Sequence, residues 1–386
     1  MPEIELARRQ RLQPAIQALG ADAALVTSLP NVRYLTGLAS SNAALLLPAA
    51  AATGPADATG PAGADGPAGA AVLATDSRYA LAARRDCPDL DLIIGRFIEQ
   101  LLTAEMTRRG MRTVAFEAHE MTVERHLNIA VSAEGVALVP FGRGIEDLRM
   151  VKDAAELELL ATACEITGQA FTDVLPRIRP GLTERALAGE LDYRMAELGA
   201  QRPAFDTIVA SGPNGAIPHH APSGRPLRHG DLITMDFGAC YAGYHADMTR
   251  TVALGGPVGW QREIYELVAA AQAAGCAAAR PGADLALVDA AARDLISLAG
   301  HGEHFQHGLG HGVGLEVHEA PIIGHGSAGR LEVRVPVTVE PGVYLPGQGG
   351  VRIEDVLIVG AGAADRGHEA PAAQTLTTTT RELLTL

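Results

Sequence analysis

Asp236, Asp247, His311, Glu340 and Glu354 are the residues of this chain whose types and spacing most plainly support chemistry. Asp236 lies in DLITMDFGACYAGYHADMTRTVAL, where an apolar run, a Gly-containing break and a second β-rich run predict a hairpin. Folded symmetrically about Tyr241 and Ala242, that hairpin sets Asp236 directly across from Asp247, with Cβ atoms about 4.5–5.5 Å apart. A second predicted hairpin, VPVTVEPGVYLPGQGGVRIEDVLIV, turns through Pro346-Gly347-Gln348-Gly349-Gly350, and folding it about Gly347 sets Glu340 across from Glu354. Like charges directly opposite one another destabilise a sheet. A single acidic pair reads as a solvated strand face, but two pairs together with the imidazole of GLGHGVG read as a ligand set. Four carboxylates match two divalent cations in charge, and the histidine adds one nitrogen. Such a set suits Mn, Mg or Ca better than a structural zinc cage, and the imidazole tilts it toward a transition metal. Two ions about 3.5–4 Å apart can share carboxylates and activate a water for hydrolysis.

Elements of two kinds must position these residues. At 386 residues the chain has length for two domains, and 47% hydrophobic with 20% charged residues is a globular composition with ample core material. Residues 1–145 read as a small α/β domain, with an opening helix and then strand-like AALVT, AALLL, AVLAT and VALVPF. Between AALLL and AVLAT, residues 48–70 are rich in Ala, Gly and Pro, with ATGPA twice; this composition cannot bury a core and predicts a mobile hairpin insertion. Residues 146–386 read as the second domain. EDLRMVKDAAELELLATACEITGQAF places Val151, Leu157, Leu160, Ala161 and Cys164 at helical spacing. Helices near 183–198, 261–279 and 284–299 follow, separated by hairpin segments. That alternation is α+β rather than a nucleotide-binding βαβ sheet. The two acidic hairpins point to a duplication with one hairpin per half. The glycines around His311 miss G-x-G-x-x-G, because Val313 stands where the last Gly would be.

Charge and cysteine usage narrow the context. A net charge of −14 argues against nucleic acid and anionic membranes as partners. Cys87, Cys164, Cys240 and Cys276 form no CxxC and read as reduced thiols. The N-terminal stretch has no secretory apolar core, and no apolar run reaches membrane-spanning length, so a cytoplasmic location is expected. Of the thirteen histidines only His119, His126 and His368 lie outside residues 219–325, a density beyond what surface polarity needs.

Four spaced motifs in order, DFGACYAGYHADMTRT, HGLGHGVGLEVHE, TVEPGVY and GVRIEDV, resemble the proline-specific metallopeptidases of the pita-bread fold. These are the Xaa-Pro aminopeptidases and the Xaa-Pro dipeptidases (prolidases), relatives of methionine aminopeptidase. FDTIVASGPNGAIPHH, LRMVKDAAELELL and NVRYLTG extend the resemblance over nearly the whole chain. It implies an α+β protein in which a C-terminal pita-bread domain, residues 146–386, follows a smaller creatinase-like α/β domain, residues 1–145. It also implies that Asp236 binds one ion, that Asp247 and Glu354 bridge the pair, and that His311 and Glu340 hold the second. Mn(II) is the foremost metal, with Co(II), Fe(II) or Zn(II) as substitutes. His219, His318 and the proton-shuttling Glu340 are the implied catalytic groups. His307 and Arg352 are the implied substrate-binding residues, Arg352 also partnering the bridging carboxylates. The implied reaction is hydrolysis of the bond before a proline in second position, in the Xaa-Pro aminopeptidase mode, by a homodimer. A dipeptidase is the alternative, and a metal-free creatinase-like enzyme or binding scaffold is another. One departure stands out: where relatives show an L-x-x-G-M turn, this chain reads LEVRV, residues 331–335.

Overall fold

A computed structural model describes residues 2–49, 70–360 and 373–386. They form two compact units, Met1–Arg149 and Met150–Leu386. Residues 50–69, the body of the Ala/Gly/Pro insertion, lie outside the described residues.

The first unit is a mixed sheet with helices. Its strands are β1 (Ala23–Val26), β2 (Ala43–Pro48), β3 (Val72–Thr75), β4 (Asp91–Ile94), β5 (Thr113–Phe116) and β6 (Ala137–Pro140), in spatial order β4-β3-β2-β1-β5-β6. Its helices are α1 (Pro2–Ala18), α2 (Leu29–Thr36), α3 (Ala80–Asp86), α4 (Ile98–Arg108), α5 (Val123–Ser132) and α6 (Gly144–Met150). β2 and β3 pair antiparallel on either side of the insertion, as the two apolar runs predict. The almost wholly apolar runs of β1 to β3 bury both faces, and Leu25, Leu46, Val72, Leu102 and Val114 share one core.

The second unit repeats one theme twice. Its helices are α7 (Ala154–Val174), α8 (Glu184–Glu197), α9 (Gly259–Ala278) and α10 (Leu285–Leu298). Strands β7 (Arg202–Pro203), β8 (Ile208–Ser211), β9 (Leu232–Phe237), β10 (Ala239–Tyr241), β11 (Tyr244–His245) and β12 (Met248–Ala253) make the first half. Strands β13 (Gly310–Gly312), β14 (Glu319–Ile323), β15 (Pro336–Val339), β16 (Gly342–Leu345), β17 (Gly349–Arg352), β18 (Asp355–Val359) and β19 (Ala373–Thr375) make the second. The β12-β9-β8 sheet packs Ile233, Met235 and Val252 against Phe171, Leu187 and Leu191 of α7 and α8. The β14-β13-β15-β18-β19 sheet packs Val337, Val339 and Leu357 against Val268, Ala271, Val288 and Ala292 of α9 and α10. One helix pair thus backs each acidic hairpin.

A fully buried ion pair ties the two halves. Arg250 of β12 donates to Asp355 Oδ1 of β18 at 2.7 Å and to the Glu354 carbonyl at 2.5 Å, and Gln272 of α9 donates to Asp355 Oδ2 at 2.7 Å. Each charge is met by several partners, the condition under which a buried pair holds rather than destabilises.

Two sequence expectations change. The amphipathic stretch beginning at Glu146 is two helices, α6 and α7, with Val151, Lys152 and Asp153 between them. The reason is local: Asp153 accepts from the Glu156 amide at 3.0 Å while the Glu156 carboxylate accepts from the Asp153 amide at 2.9 Å, a capping box that starts α7 afresh. The LEVRV segment keeps the glycine-type turn without the glycine, because Arg334 itself takes the left-handed conformation, φ 68°. An L-residue there costs about 1–2 kcal/mol, partly offset by the roughly 0.5–1 kcal/mol that glycine loses in chain entropy. Arg334→Gly is therefore expected to stabilise the protein by up to about 1 kcal/mol, seen as a higher denaturation midpoint. A lower midpoint would mean that the arginine side chain anchors the turn.

Candidate metal centre

Strands and their ends deliver all five candidate ligands to one cavity of about 420 Å3. Asp236 lies in β9, Asp247 just before β12, His311 at the middle of β13, Glu340 just after β15 and Glu354 just before β18. The second hairpin has the expected register: Gly342 pairs with Arg352 and Val339 with Asp355, so Glu340 and Glu354 face each other between those pairs. The first does not. Tyr241 pairs with Tyr244, and Asp236 lies opposite Thr249. The turn falls at Ala242-Gly243, both at positive φ, 45° and 83°. That is the backbone twist favoured in two-residue hairpin turns. Moving the centre of the hairpin by one residue moves each pairing by two. Because side chains alternate faces, a shift of two leaves Asp247 on the Asp236 face as its diagonal neighbour.

Asp247, His311 and Glu354 each present an atom within 4.8 Å of the others. His311 Nε2 lies 3.5 Å from Glu340 Oε1 and 3.7 Å from Asp247 Oδ2. His311 Nδ1 is 3.0 Å from the Gly312 carbonyl, which only accepts, so Nδ1 carries the proton and the Nε2 lone pair faces the carboxylates. Burial pushes His311 down to about 4, which leaves the ring neutral near pH 7. The carboxylates are pushed the other way. Burial and then Glu354 raise Asp247 well above the usual range. Burial and then Glu340 do the same to Glu354. Burial, opposed by Arg352 and aided by Asp236, brings Glu340 to about 8. Among the described residues no hydrogen-bond donor meets the buried Asp236 Oδ1 or Glu354 Oε1. Acceptors without donors, and a lone pair aimed at carboxylates, are the arrangement that divalent cations would satisfy. The donor set fits them.

The surrounding residues fix this geometry. A Cβ at Gly310 would stand 2.0 Å from the Thr338 carbonyl oxygen, and one at Gly312 2.0 Å from that of Ala320, so only glycine lets β13 press His311 inward. Arg352 donates to Asp236 Oδ2 at 2.6 Å, Tyr344 Oη at 2.8 Å, Thr249 Oγ1 at 3.0 Å and the Pro218 carbonyl at 3.2 Å. It reaches Glu354 only through Thr249, whose hydroxyl donates to Glu354 Oε2 at 2.7 Å. Its direct carboxylate partner is thus Asp236, not the carboxylates expected to bridge. Thr249 was overlooked in the sequence, although it stands two residues from Asp247 on one strand face.

His219, His307 and His318 all line the cavity with Phe205, Val317 and Ile322. The His318 ring packs edge-on against that of His311, centroids 4.4 Å apart. His307 Nδ1 donates to the Gly308 carbonyl at 2.8 Å and its Nε2 meets the Tyr344 hydroxyl at 2.9 Å. Burial lowers His307 to about 4. His220 turns away and bonds Glu184 at 2.9 Å.

The charge arrangement has a pH signature. Glu340 titrates near 8 in the folded chain against an ordinary 4.5, so the native metal-free protein binds more protons than the unfolded chain between those values. Its stability is then full at the acid end of that window and is lost as pH rises toward 8. Glu340→Gln is expected to leave the metal-free midpoint nearly unchanged at pH 5 and to raise it at pH 8. Equal midpoints at both values would show that the carboxylates do not confront one another.

Comparison with known proteins agrees with this geometry. Residues 158–361 match the model of metallopeptidase family M24, and residues 8–151 match the creatinase/prolidase N-terminal domain. An uncharacterised peptidase of Bacillus subtilis is 36% identical over 351 residues, 91% of this chain and 94% of that one. A Xaa-Pro dipeptidase of Pyrococcus furiosus is 43% identical over 240 residues, 62% of this chain and 66% of that one. Among solved structures, a Xaa-Pro dipeptidase from Bacillus anthracis superposes with a TM-score of 0.88 at 33% identity, covering 99% of this chain and 100% of that one. An X-Pro aminopeptidase from Thermotoga maritima gives 0.85 at 32% identity, covering 98% and 99%. With acidic hairpins, histidine strand and both family models in agreement, the chain belongs to metallopeptidase family M24: a divalent-metal peptidase with a pita-bread domain behind a creatinase/prolidase-type N-terminal domain.

Proposed function

We propose that Asp236, Asp247, His311, Glu340 and Glu354 hold two divalent ions, Mn(II) foremost, and that the enzyme hydrolyses the bond before a proline in second position in the aminopeptidase mode. The observation that carries this reading is the pair of donorless buried oxygens on Asp236 and Glu354, facing the same cavity as the His311 lone pair. Bound there, such ions supply an activated water and polarise the scissile carbonyl.

The chain's own groups divide the remaining tasks. Glu340 is the proton shuttle, holding a proton on its carboxyl and passing it to the leaving amine. His219 and His318 face the cavity as donors to developing negative charge. Burial lowers His318, so near pH 7 it is a neutral donor. Both nitrogens of His307 are committed to the protein, so it offers the flat of its ring. That surface suits a pyrrolidine, which has no N–H for the pocket to grasp. Arg352, committed to four bonds, orients Asp236. We assign it that task rather than substrate capture.

The same commitment separates aminopeptidase from dipeptidase. A dipeptidase must hold a free C-terminal carboxylate. Among the described lining residues Arg352 is the one Lys or Arg, and Asp206 adds a carboxylate to the wall. This supports a pocket open to longer peptides. The dipeptidase reading is favoured by the names of several relatives. A homodimer, carried by the family resemblance, and a cytoplasmic location, carried by the sequence reading, belong to the proposal as well.

Two outcomes test it. Chelation should abolish cleavage and Mn(II), or Co(II), should restore it, with Xaa-Pro-Yaa turned over at least about tenfold faster than Xaa-Pro, a difference of roughly 1.4 kcal/mol in barrier. The opposite peptide preference makes the enzyme a dipeptidase, and full activity after exhaustive chelation removes the metal reading. Asp247→Asn should lose bound metal and at least about a thousandfold in rate, roughly 4 kcal/mol. His318→Ala should keep its metal and lose about ten- to a thousandfold. Normal metal and turnover in Asp247→Asn would remove Asp247 from the ligand set.

A further inference from the structure

Glu184 is the first residue of α8, and it is fully buried, yet it lies outside the cavity. Seven hydrogen bonds end on its carboxylate, all from Ser211, the last residue of β8, and from the segment that follows it. Oε1 accepts from the Ser211 amide at 2.8 Å, the Ser211 hydroxyl at 2.7 Å and Asn214 Nδ2 at 2.9 Å. Oε2 accepts from Asn214 Nδ2 at 3.2 Å, His220 Nε2 at 2.9 Å, the Ser223 amide at 3.1 Å and the Ser223 hydroxyl at 2.5 Å. Burial works against its charge, but the donors on Ser223, Asn214, His220 and Ser211 overcome that and hold the carboxyl at about 2. The Glu184 amide also donates to the Arg225 carbonyl at 3.1 Å and the Arg185 amide to the Ser223 carbonyl at 3.0 Å. Residues 211–223 are therefore a loop whose two ends and middle hang on one anion at a helix N-terminus, where negative charge is favoured.

The free part of that loop is the part that enters the site. Pro218 and His219 line the cavity, and the Pro218 carbonyl accepts from Arg352. Among the described residues no strand pairing holds residues 217–223, which follow the short 3-10 helix Gly212–Ala216. The orientation of His219 thus depends on its neighbour His220 and on Ser223 reaching the same carboxylate.

We infer that Glu184 is a positioning residue for the hydrolysis, acting through His219: it suspends the 211–223 loop so that His219 meets the developing charge. The inference rests on the peptidase reading above and adds to it a residue that touches neither substrate nor metal ligand.

A double-mutant cycle on the full chain tests it, with kcat, KM, bound metal and denaturation midpoint measured on a Xaa-Pro-Yaa peptide. Glu184→Gln replaces one acceptor oxygen by an amide that opposes the donors facing it. It should keep wild-type metal and KM and lose about a hundredfold in kcat, the scale of a misplacement of about 1 Å. In the His219→Ala background the same change should cost less than about threefold, since residues acting through one another are not additive. Ser223→Ala and Asn214→Ala, each removing a single donor, should give smaller kcat losses that also vanish without His219. They carry the test if Glu184→Gln does not fold. Glu190→Gln, a change at a half-buried residue on the same helix whose carboxylate faces Arg177 rather than the loop, is the control and should match wild type. Additive losses in an active enzyme, or loss of metal from a folded Glu184→Gln, would overturn the inference. A wild-type protein that does not cleave the peptide would overturn the peptidase reading instead.

Discussion

Mutual repulsion among Asp236, Asp247, Glu340 and Glu354 is the constraint around which the catalytic unit is built. A carboxylate withdrawn from water costs several kcal/mol unless it is paired. Here four converge, and among the described cavity-lining residues the one Arg or Lys is Arg352. The raised carboxyls of Asp247, Glu340 and Glu354 are the direct expression of that cost. A site so unfavourable by itself persists only if the surrounding fold opposes its spreading and if cations enter it. Folding and metal binding are linked in this way.

The opposition comes from elements remote from the cavity. Each acidic hairpin lies on its own helix pair and its own apolar core, and the buried Arg250–Asp355 pair joins the two just behind the ligands. Smaller devices hold the rims. On α10, Arg293 donates to Asp289 at 2.6 Å and to the Phe305 and His307 carbonyls at 2.8 and 2.7 Å, fixing the loop that bears His307. Lys152 donates to Glu319 Oε2 at 2.7 Å beside His318. Glu184 does the same for His219. Three loops around the cavity thus hang on buried or half-buried charged side chains, which suits groups that must be placed to within a fraction of an ångström.

How much of this was legible in the sequence depended on the kind of signal. The Glu340–Glu354 pairing could be read because the hairpin is regular about Gly347, which supplies the left-handed turn residue, φ 75°. The Asp236–Asp247 pairing was read one turn position too early. The competing signal was Ala242, whose positive φ no propensity predicts, although the period of two still placed both aspartates on one face. His219, implied by the resemblance, lines the cavity, whereas the neighbouring His220 bonds Glu184. Arg334 broke a glycine pattern without breaking the turn, since a penalty of about 1–2 kcal/mol is small against the strand pairing that flanks it. Glu184 and Lys152 left nothing to read, because their partners lie on distant segments: hydroxyls, amides and His220 for Glu184, and the Glu319 carboxylate for Lys152. Asp289 pairs with Arg293 four residues on, a spacing that marks an ion pair on a helix but not the His307 loop that Arg293 holds.

Anomalous diffraction from crystals grown with Mn(II), collected at the manganese edge, tests the central claim most directly. Two anomalous peaks are expected among Asp236, Asp247, His311, Glu340 and Glu354, with the Asp236 and Glu354 oxygens that lack donors turned toward them. An active enzyme whose crystals show those five side chains in place and no anomalous peak between them would contradict the account.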